Sequence, residues 1–185
     1  MKKVMFSLAA VAAMQLMSSC GNKSANGTEA AADAEEVAEV AEVAYEHFKI
    51  EKYNASVDLV KGMRRTDDPQ MDNGGLFTVV PEDADDFPIY GCVDASVYES
   101  YEEYTDERIQ SEFNSIPEES VDKVIDLEKK EFSYAVPGET ISEYHRCIYK
   151  GNLSASVTVA YSEKYAKQLG GEICDHILQS LQFDE

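Results

Sequence analysis

Two short pairs set a thiol beside an imidazole: His145-x-Cys147 and Cys174-x-His176. Together they offer two sulfurs and two ring nitrogens, the ligand set of a tetrahedral zinc site. Spacing separates the pairs. On a strand, residues two apart share a face, so His145 and Cys147 can address one ion. On a helix, residues two apart diverge, which turns His176 outward and leaves Cys174 beside Ile177 and Leu178. His145 and Cys147 remain the candidate metal pair, but the set is not completed by the second pair, and the favoured reading is Cys147 and Cys174 as a buried thiol pair or a disulfide.

Other chemistry is sparse. Glu82, Asp83, Asp85 and Asp86 precede Pro88, and Asp67-Asp68 precedes Asp72-Asn73-Gly74, but neither run has the spacing of an EF-hand loop. Both read as solvated loops. The chain has no G-x-S-x-G elbow, no Walker loop and no H-E-x-x-H helix. Its three histidines, His47, His145 and His176, lie far apart in sequence. The expectation is a non-enzymatic protein without a cofactor. Tyrosines are numerous, and most fall on inward positions; Tyr90 and Tyr98 point out of their strand and form a candidate interaction surface, since a tyrosine ring is apolar at one end and hydrogen-bonds at the other.

Residues 1–19 follow the order of a secretory signal: Lys2 and Lys3, an apolar run, then Ser18 and Ser19. The run is shorter than the roughly 20 apolar residues that span a bilayer. Leu16-Met17-Ser18-Ser19-Cys20-Gly21 resembles the lipobox of bacterial lipoproteins, with Met17 where leucine is usual. The resemblance implies cleavage before Cys20, lipid on its sulfur, and attachment to a membrane of the cell envelope. Gly21 in place of aspartate favours the outer membrane, with the domain facing the periplasm. Cys92, Cys147 and Cys174 would then share an oxidising compartment, where one disulfide and a free thiol or three reduced thiols are both open.

The formal charge is −20, from 16 basic and 36 acidic side chains, and loss of Lys2 and Lys3 leaves 14 against 36, or −22. Such a polyanion is repelled by phosphate backbones, which excludes nucleic acid as a partner. Residues 20–45 are small, then rich in Ala, Glu and Val, and read as an acidic tether. Residues 46–185 are enough for one domain with a packed core.

Within that domain, residues 48–53 and 57–60 suggest two strands, with a turn at Gly62. Short β-type runs follow at 76–80 and 88–97, the second alternating apolar with polar. Ser100 and Glu103 have the spacing of a capping box, and Tyr101, Tyr104, Ile109, Phe113 and Ile116 recur at helical steps, which predicts a helix from about 101. Residues 121–134, with a break, then 141–150 and 153–161 predict further strands, the last two joined by Gly151-Asn152 as a hairpin. Ser162 opens a closing helix with Ala166, Leu169, Ile173, Ile177 and Leu181 on its inner face and Gly170-Gly171 interrupting it. The order gives an α+β fold, an antiparallel-rich sheet with helices packed on it.

Tyr144-His145-Arg146-Cys147-Ile148-Tyr149, leading through Gly151 into strand 153–161, and the ending Ile177-Leu178-Gln179-Ser180-Leu181-Gln182-Phe183 resemble the PsbP-like family of α/β/α sandwiches. Gly62-Met63 departs from the family's Gly-Trp step, and the chain has no tryptophan. The resemblance implies the fold and carries no catalytic residues. The functional expectation is an envelope lipoprotein with an accessory or interaction domain that engages an envelope protein. The alternative is an envelope lipoprotein that binds a cation or small solute.

Overall fold

The computed structural model describes residues 43–79 and 91–185; the signal, the lipobox with Cys20, most of the tether, Tyr90 and the 82–86 acidic run lie outside them. Ten strands form two sheets among the described residues. The larger has the order β3-β4-β5-β9-β8-β7-β6 and is antiparallel throughout. Its strands are β3 (Arg64–Arg65), β4 (Gly74–Thr78), β5 (Gly91–Glu99), β6 (Val121–Asp126), β7 (Glu131–Val136), β8 (Ser142–Lys150) and β9 (Leu153–Tyr161). The smaller sheet is β1 (Tyr45–Ile50), β2 (Ala55–Val60) and β10 (Gln182–Phe183), with β2 in the middle. Helix α1 (Asp106–Asn114) packs on one face of the large sheet; α2 (Ala166–Leu169), α3 (Glu172–Ser180) and β2 pack on the other. The result is an α+β sandwich.

Period-two alternation builds the centre of this sheet. Ala155, Val157 and Val159 of β9 are fully buried on the α3 side beside Val93, Ala95 and Val97 of β5. Leu169 and Ile177 close the layer from above, and Ile50, Val57 and Leu59 join it from the small sheet. Burial of apolar side chains of this size stabilises by about 1.5–3 kcal/mol each before entropy is counted. On the other face, Ile109 of α1 is fully buried against Phe132, Tyr104 and Tyr149. The predicted Gly151-Asn152 hairpin is present, with φ +61 at Gly151 alone, as a type II′ loop requires at its first position.

Several sequence expectations shift. The first strand stops at Ile50, because residues 51–53 form a 3-10 turn and Asn54 adopts a left-handed φ of 49°. Thr105, not Ser100, caps α1, accepting from the Arg108 N–H at 3.3 Å. The backbone N–H groups of Ser100 and Tyr104 are already engaged by the carbonyls of Asn152 and Gly151 at 2.8 Å each, so residues 100–104 are strapped across the hairpin and cannot coil. Tyr101 accordingly stands fully in solvent instead of on the helix face. Residues 121–136 are two paired strands.

The closing helix is in pieces: a 3-10 turn at 163–165, then α2, then α3. Ser162 makes no side-chain cap, and Gly171 takes a φ of +57 at the junction, where an L side chain would be strained. The chain then turns back to lay β10 against β2, a strand that the sequence reading had merged with the helix. Ser56 Oγ, fully buried, donates to Asp184 at 2.7 Å, and Ser180 Oγ accepts from the Asp58 N–H at 2.9 Å, tying the C-terminus to the small sheet.

Candidate functional site

Strand β8 carries the predicted pair His145 and Cys147 on the α1 side and Arg146 on the α3 side. The His145 ring stacks on Tyr134 at 4.4 Å, and its Nδ1 lies 2.9 Å from Thr158 Oγ1. Nε2 is 3.2 Å from Glu143 Oε2 but is not aligned as a hydrogen bond. Burial lowers the imidazole's pKa, with Glu143 opposing, so the ring is biased toward its neutral form. Thr158, His145 and Glu143 thus make a hydroxyl–imidazole–carboxylate row, which in other settings activates a nucleophile. Here the row lies in mid-sheet, where both flanking strands pair with their neighbours and ladder bonds consume the backbone N–H groups that would stabilise an oxyanion. The row joins one contact along β8, Glu143 to His145, with one across to Thr158 of β9.

Cys147 packs against the α1-side cluster of Tyr104, Ile109, Phe132 and Tyr149, and burial pushes its thiol up to about 12. Among the described residues no three of His, Cys, Asp and Glu gather as metal ligands, so His145 and Cys147 share a face without a completed ligand set. Cys92, Cys147 and Cys174 are free thiols, and Cys174 is buried in the α3-side core, across the sheet from Cys147. Burial also pushes Cys174 up to about 12 and raises Cys92.

Arg146 escaped the sequence reading, although a guanidinium at an inward position of a strand is a visible signal. Its Nη1 lies 2.8, 3.1 and 3.0 Å from the carbonyl oxygens of Leu178, Gln179 and Leu181, where α3 ends and its last carbonyls lack intrahelical partners. Nη2 donates to the Glu131 carboxylate. A groove of about 390 Å³ opens beside this contact, lined by Lys129, Glu131, Ser133, Asp175 and Gln179 among others.

A second cluster joins residues that sequence distance kept apart. His47 Nδ1 and His176 Nε2 each approach a different oxygen of Asp58, at 2.9 and 3.0 Å. His47 and Asp58 are cross-strand partners, whereas His176 arrives from α3 and stacks on Tyr45. No spacing rule foretells that meeting.

Among the described residues, the most exposed aromatic surface follows β5. Tyr98 is 63% exposed and Tyr101 fully so. Glu99, Glu102 and Glu103 beside them are exposed as well. Tyr98 is where the sequence placed it, pointing outward; its expected companion Tyr90 lies outside the described residues. The segment already holds one cation. Arg108 lies 3.9 Å from the Tyr104 ring centre and donates to Ser100 Oγ at 2.8 Å and to the Glu102 carbonyl at 3.0 Å. A sequence signal for this surface went unused: between residues 66 and 107 there is no lysine or arginine, against thirteen Asp and Glu.

No family model and no curated protein sequence matches the chain. Among solved structures, the fold is similar to the cyanobacterial PsbP protein CyanoP from Synechocystis, at 9% identity and a TM-score of 0.51, covering 76% of this chain and 93% of that one. A protein from Bacteroides thetaiotaomicron is similar at 12% identity and TM-score 0.46, over 71% of this chain and 46% of that one. The Ran-binding protein Mog1p from Saccharomyces cerevisiae is similar at 10% identity and TM-score 0.47, over 76% of this chain and 96% of that one. The likeness to CyanoP supports a PsbP-like sandwich, and fold at this identity carries no activity with it.

Proposed function

We propose that the chain is a cell-envelope lipoprotein, lipid-anchored at Cys20, whose sandwich domain is a non-enzymatic module that binds a protein partner. The observation that carries the interaction half of this reading is the pair of tyrosines, Tyr98 and Tyr101, standing in solvent at the end of β5. Tyrosine is a favoured contact residue because it buries a large, stiff ring while keeping a polar tip. The anchoring half rests on the lipobox-like run ending at Cys20. It agrees with the strong negative charge, since such a body is repelled by anionic headgroups and needs a covalent hold on the bilayer.

Cross-linking in intact membranes tests the partner. The native protein should capture a defined neighbour that Tyr98→Ala/Tyr101→Ala loses; equal capture by both would reject the surface. Membrane fractionation tests the anchor, with Cys20→Ala expected in the soluble fraction. The second reading, a small-solute binder, is favoured by the groove beside Arg146, whose volume falls within the range of ligand pockets, although its walls are polar. Elemental and mass analysis of protein purified without chelator distinguishes the two, because a bound solute or metal at one per chain belongs to the second.

A further inference from the structure

We infer that the Tyr98–Tyr101 surface takes an arginine-bearing basic segment of its partner, and this rests on the interaction reading above. The chain itself supplies the template. Arg108 is held by the face of Tyr104, the hydroxyl of Ser100 and the carbonyl of Glu102, with the Glu112 carboxylate 3.7 Å from its Nε. A guanidinium suits such a site because it is planar, stacks on rings and donates in several directions, whereas an ammonium is a hydrated point charge. Tyr98 and Tyr101 offer two more ring faces within the same run, flanked by Glu99, Glu102 and Glu103, and no cation from the described residues lies over either ring.

Charge complementarity selects the occupant. The surface lies within the stretch from 66 to 107 that has no basic residue; Asp67, Asp72 and Asp106 of that stretch are paired with Arg65, Lys52 and Lys130, while Glu99, Glu102 and Glu103 beside the rings have no ion pair among the described residues. An anionic membrane or a nucleic acid would add to the repulsion among these carboxylates. A second copy of this chain, itself at −20, would do the same. A basic protein segment satisfies both the rings and the acids, and arginine satisfies the rings better than lysine.

The test uses the full chain and two synthetic peptides of equal length and charge, one built on Gly-Arg repeats and one on Gly-Lys repeats, at physiological salt. The native protein should prefer the arginine peptide. Tyr98→Ala/Tyr101→Ala leaves the net charge untouched and should weaken arginine-peptide binding by about fivefold to thirtyfold, the loss of two exposed cation–π contacts, while erasing the preference. Tyr98→Phe/Tyr101→Phe keeps the rings and should keep the preference. Equal binding of both peptides, or arginine binding indifferent to the alanine pair, would mean attraction by charge alone and overturn the inference. If cross-linking captures a tyrosine-dependent partner while the peptides show no arginine preference, the interaction reading stands and the arginine assignment falls.

Discussion

Arg146 and the Tyr98–Tyr101 run belong to the same sheet and are treated in opposite ways. The guanidinium is spent internally: every contact it makes closes the end of α3 or meets Glu131. Beside it, Lys129 pairs with Asp126 and Glu131 within the domain. At the end of β5 the opposite holds: the Tyr98 and Tyr101 rings and the Glu102 and Glu103 side chains stand in solvent, and the neighbouring Arg108 is held on Tyr104 and Ser100 instead. Paired charge near β7 and β8 holds the fold together. The exposed rings at the end of β5 are left to solvent.

The sharpest way to break this contrast is to remove the spent charge. Arg146→Ala strips the end of α3 and leaves half-buried Glu131 with only the exposed Lys129 at 3.8 Å, and urea unfolding should show a loss of about 3 kcal/mol. A loss under about 0.5 kcal/mol would place Arg146 with the surface charges instead.

That expectation also marks how far the sequence could be read. The alternation in β8 and β9 announced two faces, and the apolar repeat in α1 and α3 announced what would cover them. The residue that locks α3 in place was passed over because its partners are carbonyls 32 to 35 positions away, which no local pattern encodes. His145, by contrast, was singled out as a half-built ligand pair, and the folded chain gives it Thr158 and Tyr134 as neighbours.

The thiols give the next test. Cys147 and Cys174 are pushed up to about 12 by burial on opposite sides of the sheet, so each stays protonated in the folded chain. A raised acid favours the folded state at low pH, and that contribution is lost as pH rises from the ordinary thiol value near 9 toward 12. Stability should therefore fall over that window, and less steeply in Cys147→Ala and Cys174→Ala. At pH 8 both thiols should resist a thiol reagent until the protein unfolds.

Arg65 and Asp67 form a smaller version of the spent-charge region. Their bidentate pair, at 2.8 and 3.2 Å, holds Asp67 below the ordinary carboxylate range. The stability it adds is present above about pH 3.8 and is lost as pH falls through the depressed value. Asp67→Asn should cost about 1 kcal/mol at neutral pH, and the gap to the native protein should close on acidification. The smallest effect is expected at the other end of the comparison. Tyr98→Ala/Tyr101→Ala should change stability by less than about 0.5 kcal/mol, since neither ring is buried, and a larger loss would return them to the core.

The alternating strands β5, β8 and β9, the hairpin at Gly151-Asn152 and the apolar faces of the helices were decided by the sequence alone, because each rests on side-chain periodicity or turn chemistry over a few residues. The lipobox-like run ending at Cys20 is likewise a local pattern. Tertiary structure decided the rest: that residues 100–104 strap the hairpin and delay α1 to Asp106, that the thiols lie on opposite faces, that Asp58 meets both His47 and His176, and that Arg146 closes α3. Each depends on backbone groups or charges brought together from distant positions, where the energy of the contact exists only once the chain has folded.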